Sequence, residues 1–320
     1  MNTDIDFDIM REPGFYNLVL SKRRSETKTI CDTGWRLVID CPVCSTSNGK
    51  NTIEYKTDFG DYLKCKTCHC LYLDRVPMKQ NVGRYSKIKS GSVSSVPEEK
   101  KREYRKERFG NERMQIISKF NNKPLSKLSL LDIGCNTGFF IEKAKEQMTD
   151  VCGLEKEKVL AEYAEKKTGC KVYTDMTSIN RKFDVITLFD TIEHIEDPVK
   201  LLKKCSSLLN DKGLLVVFTP NYKSAGFDVL KEKCSHICPG HLVLFCKETV
   251  CYIGSKIELS EIFYETAGMD IFDILSYERD INKINIKKTV LYDMANMFQD
   301  KLNSMGYANS LRVIFRKGDF

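Results

Sequence analysis

The sequence predicts an α/β protein with a doubly wound, mostly parallel sheet of seven strands, preceded by a small cysteine-rich domain. Three observations predict this fold. From residue 128 onward, short apolar runs alternate with helical patterns. The run at 213–220 is apolar almost throughout, which is typical of a strand buried on both faces of a parallel sheet. Two C-x2-C pairs, at 41–44 and 65–68, lie ahead of this alternation.

Length and composition set the limits of the interpretation. The chain has 320 residues, enough for one large domain or two of ordinary size. It contains no run of about 18 apolar residues, so we expect no membrane span. The net charge of +7 permits an acidic substrate or nucleic acid but does not require either.

The cysteine content predicts the compartment. The chain has 14 cysteines, and its first ten residues, MNTDIDFDIM, lack the pattern of a secretory signal peptide. We therefore expect a cytoplasmic protein, in which some cysteines are metal ligands and the others are small buried apolar residues.

The two C-x2-C pairs predict a structural zinc ribbon. Twenty residues separate the pairs, and each pair fits a tight turn whose thiolates point inward. The segments 52–55, 62–64 and 71–73 have the composition of ribbon strands. His69 and Cys70 leave the fourth ligand open, and Cys68 is preferred because it keeps the spacing. A closed set of four thiolates has no open position for a substrate. The predicted ligands are Cys41, Cys44, Cys65 and Cys68.

We predict three parts: residues 1–76 (an N-terminal segment and the ribbon), 77–120 (a linker and a leading helix) and 121–320 (the sheet domain, with an insertion at about 221–257). Residues 77–97 are rich in Ser, Gly and Pro, as linkers are. Residues 98–120 mix Lys, Arg and Glu with apolar residues. Because both charge signs alternate, this stretch indicates a solvated helix face rather than a nucleic-acid contact. Residues 1–40 and 280–320 carry no motif that indicates a role.

Residues 130–140 carry the most informative motif. They predict an apolar strand, a glycine turn and the start of a helix. Gly134 and Gly138 permit positive φ and a close approach of a ligand to the backbone. Asp132 ends the strand with a carboxylate that can accept from an amino group. The spacing D-x-G-x-N-x-G, with no Lys-Ser/Thr after it, argues against a dinucleotide site or a P-loop.

The next two predicted strands also end in acids. Glu155 ends the run at 151–155, where an acid commonly holds ribose hydroxyls, and Asp175 ends the run at 172–175. A fourth strand covers 183–190. Together with the glycine turn, this series resembles motif I and the following segments of the class I S-adenosylmethionine (SAM) methyltransferases, which have a Rossmann-like fold.

The resemblance implies where SAM would bind. The turn would hold its methionine part, Glu155 its ribose, and Asp175 with Met176 its adenine, while Phe189 and Asp190 would flank the methyl group. The implied cofactor contacts are Asp132, Gly134, Asn136, Gly138, Glu155, Asp175, Met176, Phe189 and Asp190.

The remaining elements follow in order. We predict helices at 139–148, 156–167 and 198–209, and a fifth strand at 213–220. After the insertion we predict a helix at 258–269, a strand at 270–277, a helix at 280–303 and a final strand at 310–316. The last strand fits the antiparallel final strand of the family that the motifs resemble.

Residues 40–280 resemble one branch of that family more closely. After the cysteine ribbon, three segments follow one another in this sequence: FDVITLFDTIEHIEDP, LLKKCSSLLNDKGLLVVFTPN and PGHLVLF. This order is similar to that of the sugar C-methyltransferases and of methyltransferases encoded with surface-glycan and natural-product genes. The resemblance implies a small-molecule acceptor, with a nucleotide-linked or glycan sugar first. Nucleic acid is the less favoured partner, and the oligomeric state stays open.

Two histidines are candidate bases. His241 aligns with an H-x-x-x-F segment at the active site of the sugar branch, where it would remove a substrate proton. His194, next to Glu193, lies just beyond the fourth strand, where ligands bind in open α/β sheets. Both Glu193 and His194 are therefore catalytic candidates.

Two alternatives remain. The D-x-x-E-H sequence at 190–194 is similar to the metal-binding E-x-x-E-H of some O-methyltransferases, among them ubiquinone-pathway and small-RNA 3′-end enzymes. A divalent ion at Asp190, Glu193, His194 and His241 would then assist O-methylation of RNA or a small aromatic compound. The second alternative is a non-catalytic module that binds SAM or interacts through zinc.

Overall fold

The computed structural model describes residues 4–78 and 99–318. It begins with two helices, α1 (Phe7–Met10) and α2 (Phe15–Thr33). The carboxylate of Asp280 accepts the backbone N–H groups of Gly14, at 3.0 Å, and Tyr16, at 2.9 Å. The N-terminal helices are thus attached to the C-terminal part of the chain. Within the described ranges, no helix has both the length and the apolar character needed to span a membrane.

The cysteine pairs lie in a small antiparallel sheet, as predicted. β2, β3 and β4 pair in sequence order, while β1 and β5 form a separate antiparallel pair. The three strands predicted at 52–55, 62–64 and 71–73 are all present. The five strands are β1 (Trp35–Leu37), β2 (Thr52–Thr57), β3 (Gly60–Lys64), β4 (Leu71–Leu73) and β5 (Arg75–Pro77).

The predicted leading helix is present with one interruption. It consists of α3 (Glu99–Arg105), a π-helical turn (Lys106–Gly110) and α4 (Asn111–Lys119). π-helical turns often occur at functional sites. Most of the predicted linker, residues 79–98, lies outside the described residues.

The main domain is a seven-stranded sheet with the predicted alternation. Its elements in chain order are β6 (Ser129–Ile133), α5 (Phe139–Lys145), β7 (Asp150–Leu154), α6 (Lys158–Thr168), β8 (Lys171–Tyr173), β9 (Phe183–Phe189), α7 (Pro198–Leu208), β10 (Leu209–Pro220), α8 (Ala225–Leu230), β11 (Val243–Leu244), α9 (Lys247–Gly254), β12 (Ser260–Ala267), α10 (Asp270–Asp280), α11 (Val290–Asp293), α12 (Ala295–Ser304) and β13 (Ser310–Arg316). All but β11 among these strands belong to the sheet.

The strand order in this sheet is β12-β13-β10-β9-β6-β7-β8. The pairs β10–β9, β9–β6, β6–β7 and β7–β8 are parallel, and β13 is antiparallel to both of its neighbours. The chain therefore winds outward in both directions from the centre, which is the predicted Rossmann-like architecture. The carboxyl ends of the parallel strands share one edge of the sheet, where ligands bind in such folds.

Two predictions near the C-terminus are wrong. Residues 258–269 contain strand β12 rather than a helix, and 270–277 belong to helix α10 rather than to a strand. Ile262, Phe263 and Tyr264 suit a strand, and pairing with β13 decides the conformation of a segment that is only half-buried. The predicted helix at 280–303 is broken into a 3₁₀ turn (Ile286–Lys288), α11 and α12.

The ribbon and the sheet domain share one core. β11, which lies in the insertion between β10 and β12, pairs with β4 and becomes the fourth strand of the ribbon sheet. One cluster of buried apolar residues contains Tyr62 and Leu71 of the ribbon as well as Leu131 and Ile186 of the main sheet. The insertion therefore holds the ribbon against the edge of the sheet where a ligand would bind.

Candidate active site and metal centre

The glycine turn after β6 has the conformation that its sequence predicts. Gly134 has φ 79° and Gly138 has φ 81°, and Asn136 lies between them with φ 51°. A Cβ atom at position 134 would lie 2.3 Å from Thr191 Oγ1, so only glycine fits there. The N–H groups of residues 134 and 135 both donate to the carbonyl of Leu154, at 2.8 and 3.1 Å. The turn is thus fixed against the next strand.

Asp132 is buried at the end of β6. It accepts a hydrogen bond of 2.7 Å from the Thr187 hydroxyl, and burial raises the pKa of its carboxyl to about 7. A cationic amino group beside this carboxylate would favour its ionised form. The geometry therefore suits the predicted contact with an ammonium group.

The next two acids lie in a row with Asp132, because β6, β7 and β8 are neighbours. The Glu155 carboxylate accepts the N–H groups of Asn136, at 3.1 Å, and Glu157, at 2.9 Å, and burial raises its pKa. Asp175 accepts from the hydroxyl and the N–H of Thr177, at 2.6 and 2.9 Å, and these bonds lower its pKa. This capping positions the 3₁₀ turn Met176–Ser178 beside β8.

A cavity of about 470 Å³ opens beside the glycine turn. Segments from the whole chain line it: the N-terminal segment, α3 to α4, the glycine turn, the ends of β9 and β10, the start of α10 and helix α12. Phe189 and Asp190 contribute to the lining, whereas Glu155 and Asp175 do not. Asp190 has φ 51°, a strained value for a residue with a side chain, and its N–H donates to the Phe218 carbonyl at 2.9 Å.

One wall of the cavity is a polar face of the leading helix. Its residues recur at the i, i+3, i+4, i+7, i+8 spacing of a single helix face. The sequence predicted a solvated face here: Arg105 is exposed, whereas the other four residues of this wall are half-buried. We call this surface the arginine face; it consists of Arg105, Arg108, Phe109, Glu112 and Arg113.

Arg113 is a candidate site residue that the sequence interpretation missed. Its guanidinium lies 4.0 Å from the centre of the Phe189 ring and 3.8 Å from the Asp190 carboxylate. Removal of water from the group lowers its pKa. Phe139, Phe140 and Phe218 also lie within 6.0 Å of this group.

Three histidines form a row beside the cavity. The ring centres of His194 and His241 are 4.8 Å apart, and those of His241 and His236 are 5.9 Å apart. His236 lines the cavity and stacks on Phe227, and burial lowers its pKa to about 4. His194, His241 and Glu193 are not part of the cavity lining.

Hydrogen bonds to backbone carbonyls define the tautomers of two of these rings. His194 Nδ1 lies 2.6 Å from the Gly240 carbonyl, and His241 Nδ1 lies 2.8 Å from the His236 carbonyl. A carbonyl can only accept, so Nδ1 is the protonated nitrogen of each neutral ring and Nε2 is the basic one. Each Nε2 can therefore accept a proton or bind a metal ion.

Glu193 completes a possible metal-binding group with these two histidines. It is 1% exposed, its Oε2 accepts from the Thr219 hydroxyl at 2.9 Å, and burial raises its pKa to about 7. One ligand atom from each of Glu193, His194 and His241 lies within 4.8 Å of the other two. Asp190, the fourth predicted ligand of this alternative, does not belong to that group among the described residues.

The four predicted zinc ligands come together in the ribbon. Their Sγ atoms all lie within 4.8 Å of one another, with Cys41 and Cys68 3.6 Å apart and Cys44 and Cys65 3.4 Å apart. A tetrahedral site with bonds of about 2.3 Å requires separations of about 3.8 Å, so the cysteines fit a zinc ion. The set is closed and suits a structural role.

The structure also bears on the choice of the fourth ligand. The His69 side chain is exposed, whereas Cys70 is buried with its Sγ 3.4 Å from Cys41 and 3.5 Å from Cys68. Hydrogen bonds from the thiols of Cys68 and Cys70 lower the pKa of Cys41, which favours the thiolate that binds metal. Cys68 completes the set of four, and Cys70 is a fifth thiol beside it.

Comparison with known proteins agrees with this geometry. Residues 102–246 match a family model described as a methyltransferase domain. The ubiquinone biosynthesis O-methyltransferase of Pelagibacter ubique is 31% identical over 109 residues, which are 32% of this chain and 45% of that protein. The protein of the same description from Cereibacter sphaeroides is 29% identical over 127 residues, 35% of this chain and 51% of that one. The chain spans about half the length of these curated relatives.

Among solved structures, a SAM-dependent methyltransferase from Archaeoglobus fulgidus superposes with a TM-score of 0.45 and 20% identity, covering 66% of this chain and 94% of that chain. The family match and the parallel part of the sheet concern the same segment of the chain. Residues 102–246, which match the methyltransferase model, contain the parallel strands β6 to β10 of the Rossmann-like sheet.

Proposed function

Because residues 102–246 match a methyltransferase domain, we propose that the chain transfers a methyl group from SAM to a small polar acceptor. The observation that carries this proposal is the row of acids at the carboxyl ends of β6, β7 and β8, beside a glycine turn that only glycine can form. A nucleotide-linked or glycan sugar is the first candidate acceptor. The support for it is the order of a cysteine ribbon followed by the PGHLVLF segment.

The cofactor would lie along this row. In the proposal the Asp132 carboxylate and the backbone of the glycine turn, from Gly134 through Asn136 to Gly138, hold its methionine part. Glu155 holds the ribose hydroxyls. The adenine is held by Asp175 and Met176, and the methyl group lies near Phe189 and Asp190.

SAM supplies an electrophilic methyl group on a sulfonium sulfur. The residues of this chain would align the acceptor atom with that group and remove its proton, and alignment accounts for much of the rate in such reactions. We assign the base to His241, because Nε2 is the basic nitrogen of its neutral ring when Nδ1 donates to the His236 carbonyl. His194 is the second candidate, and Glu193 would hold positive charge on the paired rings.

A second candidate function rests on the ligand atoms of Glu193, His194 and His241. A divalent ion at this group would bind an acceptor oxygen and lower its pKa, as in metal-assisted O-methyl transfer. The relatives named ubiquinone biosynthesis O-methyltransferase support testing this candidate, with a small aromatic compound or RNA as the acceptor that the resemblance of residues 190–194 implies.

We also propose roles for the ribbon and for the insertion, and a cellular compartment for the protein. We propose that residues 1–76, with zinc bound by four cysteines, and the insertion at 221–257 support the active site rather than react. The structure describes all 14 cysteines and pairs none of them in a disulfide, and on this basis we propose a reducing cytoplasm.

A titration with S-adenosylhomocysteine, with zinc measured on the same sample, tests the proposal. We expect saturable binding and about one zinc per chain. No binding of SAM or its product would contradict the methyltransferase function. Binding without turnover on any sugar or aromatic acceptor would favour the non-catalytic module.

Two further measurements separate the candidate mechanisms. His241→Ala should abolish turnover, and the control His69→Asn should not, because the His69 side chain is exposed in the ribbon. Turnover lost on chelation and restored by Mg²⁺, at unchanged zinc content, would support the metal-assisted candidate instead.

A further inference from the structure

The arginine face contains three arginines and only one acid. Arg312 reaches the same cavity from β13 and pairs with Glu112 at 2.7 Å. Arg108 pairs with Glu112 at 3.2 Å, and Arg113 lies 3.8 Å from Asp190. Arg312 also lies 3.2 Å from Glu265, so each of these three arginines has an acidic partner.

Arg105 differs from these neighbours. Within residues 4–78 and 99–318, no hydrogen bond or ion pair involves its guanidinium, although it lines the cavity. The group is accessible through the cavity, and loss of bulk water around it lowers its pKa. The positive charge of Arg11 lowers that pKa further, and the negative charge of Asp190 opposes the effect.

The Arg11 side chain forms an ion pair with Asp273. Its Nε lies 2.6 Å from Asp273, and both side chains are buried. Asp273 therefore offsets the charge of Arg11, and Arg11 is not available to bind a ligand anion.

Arg105 and Arg113 occupy different positions in the cavity wall. Arg113 lies beside Phe189 and Asp190, near the glycine turn. Arg105 precedes Arg113 by eight residues, and the π-helical turn Lys106–Gly110 lies between them. Arg105 lines the cavity together with Met10 and Arg11 of the N-terminal segment.

We propose that Arg105 binds an oxyanion, a phosphate or carboxylate group, of the methyl acceptor. The planar guanidinium fork matches both groups through two parallel hydrogen bonds. This inference rests on the proposed methyltransferase function and adds a substrate class to it. The acceptor is a small anionic molecule held at one end by Arg105, with its reacting atom toward Asp190.

Anion binding can be measured without knowing the acceptor. The probes are pyrophosphate, for a phosphoryl group, and succinate, for a carboxylate, each titrated into the full chain saturated with S-adenosylhomocysteine. The variant is Arg105→Gln. The matched control is Lys100→Gln, which removes one positive charge from an exposed position of the same helix, outside the cavity.

We expect millimolar or tighter binding of one probe, weakened about tenfold or more in Arg105→Gln and unchanged in Lys100→Gln. The preferred probe identifies the oxyanion as phosphoryl or carboxylate. Equal affinity in Arg105→Gln and the original protein would overturn the proposal, and so would the absence of binding by either probe.

The cofactor provides the second measurement. S-adenosylhomocysteine carries a carboxylate, and 5′-methylthioadenosine lacks it. We expect Arg105→Gln to bind both compounds as the original protein does. A selective loss of S-adenosylhomocysteine would assign Arg105 to the cofactor and refute the inference. Failure of the original protein to bind either compound would instead contradict the proposed methyltransferase function.

Discussion

Tyr62 of the ribbon holds the loop that carries the candidate base. It is fully buried in β3, and its hydroxyl lies 2.7 Å from the His241 carbonyl and 2.9 Å from the Cys238 carbonyl. Tyr62→Phe removes this donor and leaves the ring in place. A buried acceptor that loses its donor costs about 1–3 kcal/mol. We expect local opening of residues 236–242 to become easier by about 1–2 kcal/mol, which corresponds to a factor of about 5–30.

Amide hydrogen exchange followed by mass spectrometry measures this effect without an acceptor. Peptides covering 236–242 should exchange about 5–30 times faster in Tyr62→Phe, while peptides of β6 should be unchanged. Tyr72→Phe is the matched control, since the Tyr72 hydroxyl bonds to Asn48 and Asn51 inside the ribbon. Unchanged exchange in Tyr62→Phe, or equal acceleration in both variants, would refute the role of Tyr62.

Three other predictions concern the turn, the buried acid and the ribbon. Gly134→Ala should abolish S-adenosylhomocysteine binding in calorimetry, because position 134 combines positive φ with a neighbour at 2.3 Å. Gly306→Ala, with positive φ and open space, should keep it. The Asp132 pKa is raised from 3.8 to about 7, so its contribution to stability is complete below pH 3.8 and is lost as the pH rises through 7. In urea unfolding, the free energy of unfolding should fall by up to about 4 kcal/mol between pH 3.8 and 7. This fall should be smaller in Asp132→Asn, and an equal pH dependence in both proteins would contradict the assignment to Asp132. Cys44→Ser should lose zinc in metal analysis and unfold at lower temperature, whereas the exposed Cys251→Ser should retain about one zinc per chain.

Strong local patterns made much of the fold predictable. The glycine turn, the strands that follow it and the paired cysteines each depend on short-range chemistry: positive φ at Gly134 and Gly138, burial of apolar runs, and the geometry of C-x2-C. Where the strand or helix preference was weak, the prediction failed. Residues 260–267 form a strand because β13 offers a partner, and that partner lies about 50 residues away in the sequence.

The site was predictable only in its local parts. The acids after β6, β7 and β8 follow their strands directly, so their row could be expected from strand order. The arginine face could not, because the sequence does not show which side of a charged helix meets a cavity. The closeness of His194 and His241 likewise depends on a contact between two loops far apart in the sequence, in which the Leu242 N–H donates to the Glu193 carbonyl at 2.7 Å.

The cavity has a further consequence for the synthesis of the chain. Ile5 donates its N–H to the side chain of Asn296 at 2.8 Å, across 291 positions of sequence, and both residues line the cavity. A ribosome completes the glycine turn and its row of acids long before it reaches α12. The part of the cavity wall that contains Ile5 and Asn296 therefore forms last, when the early and late parts of the chain meet. During synthesis, the segment around Ile5 must remain able to pair with Asn296 until α12 leaves the ribosome.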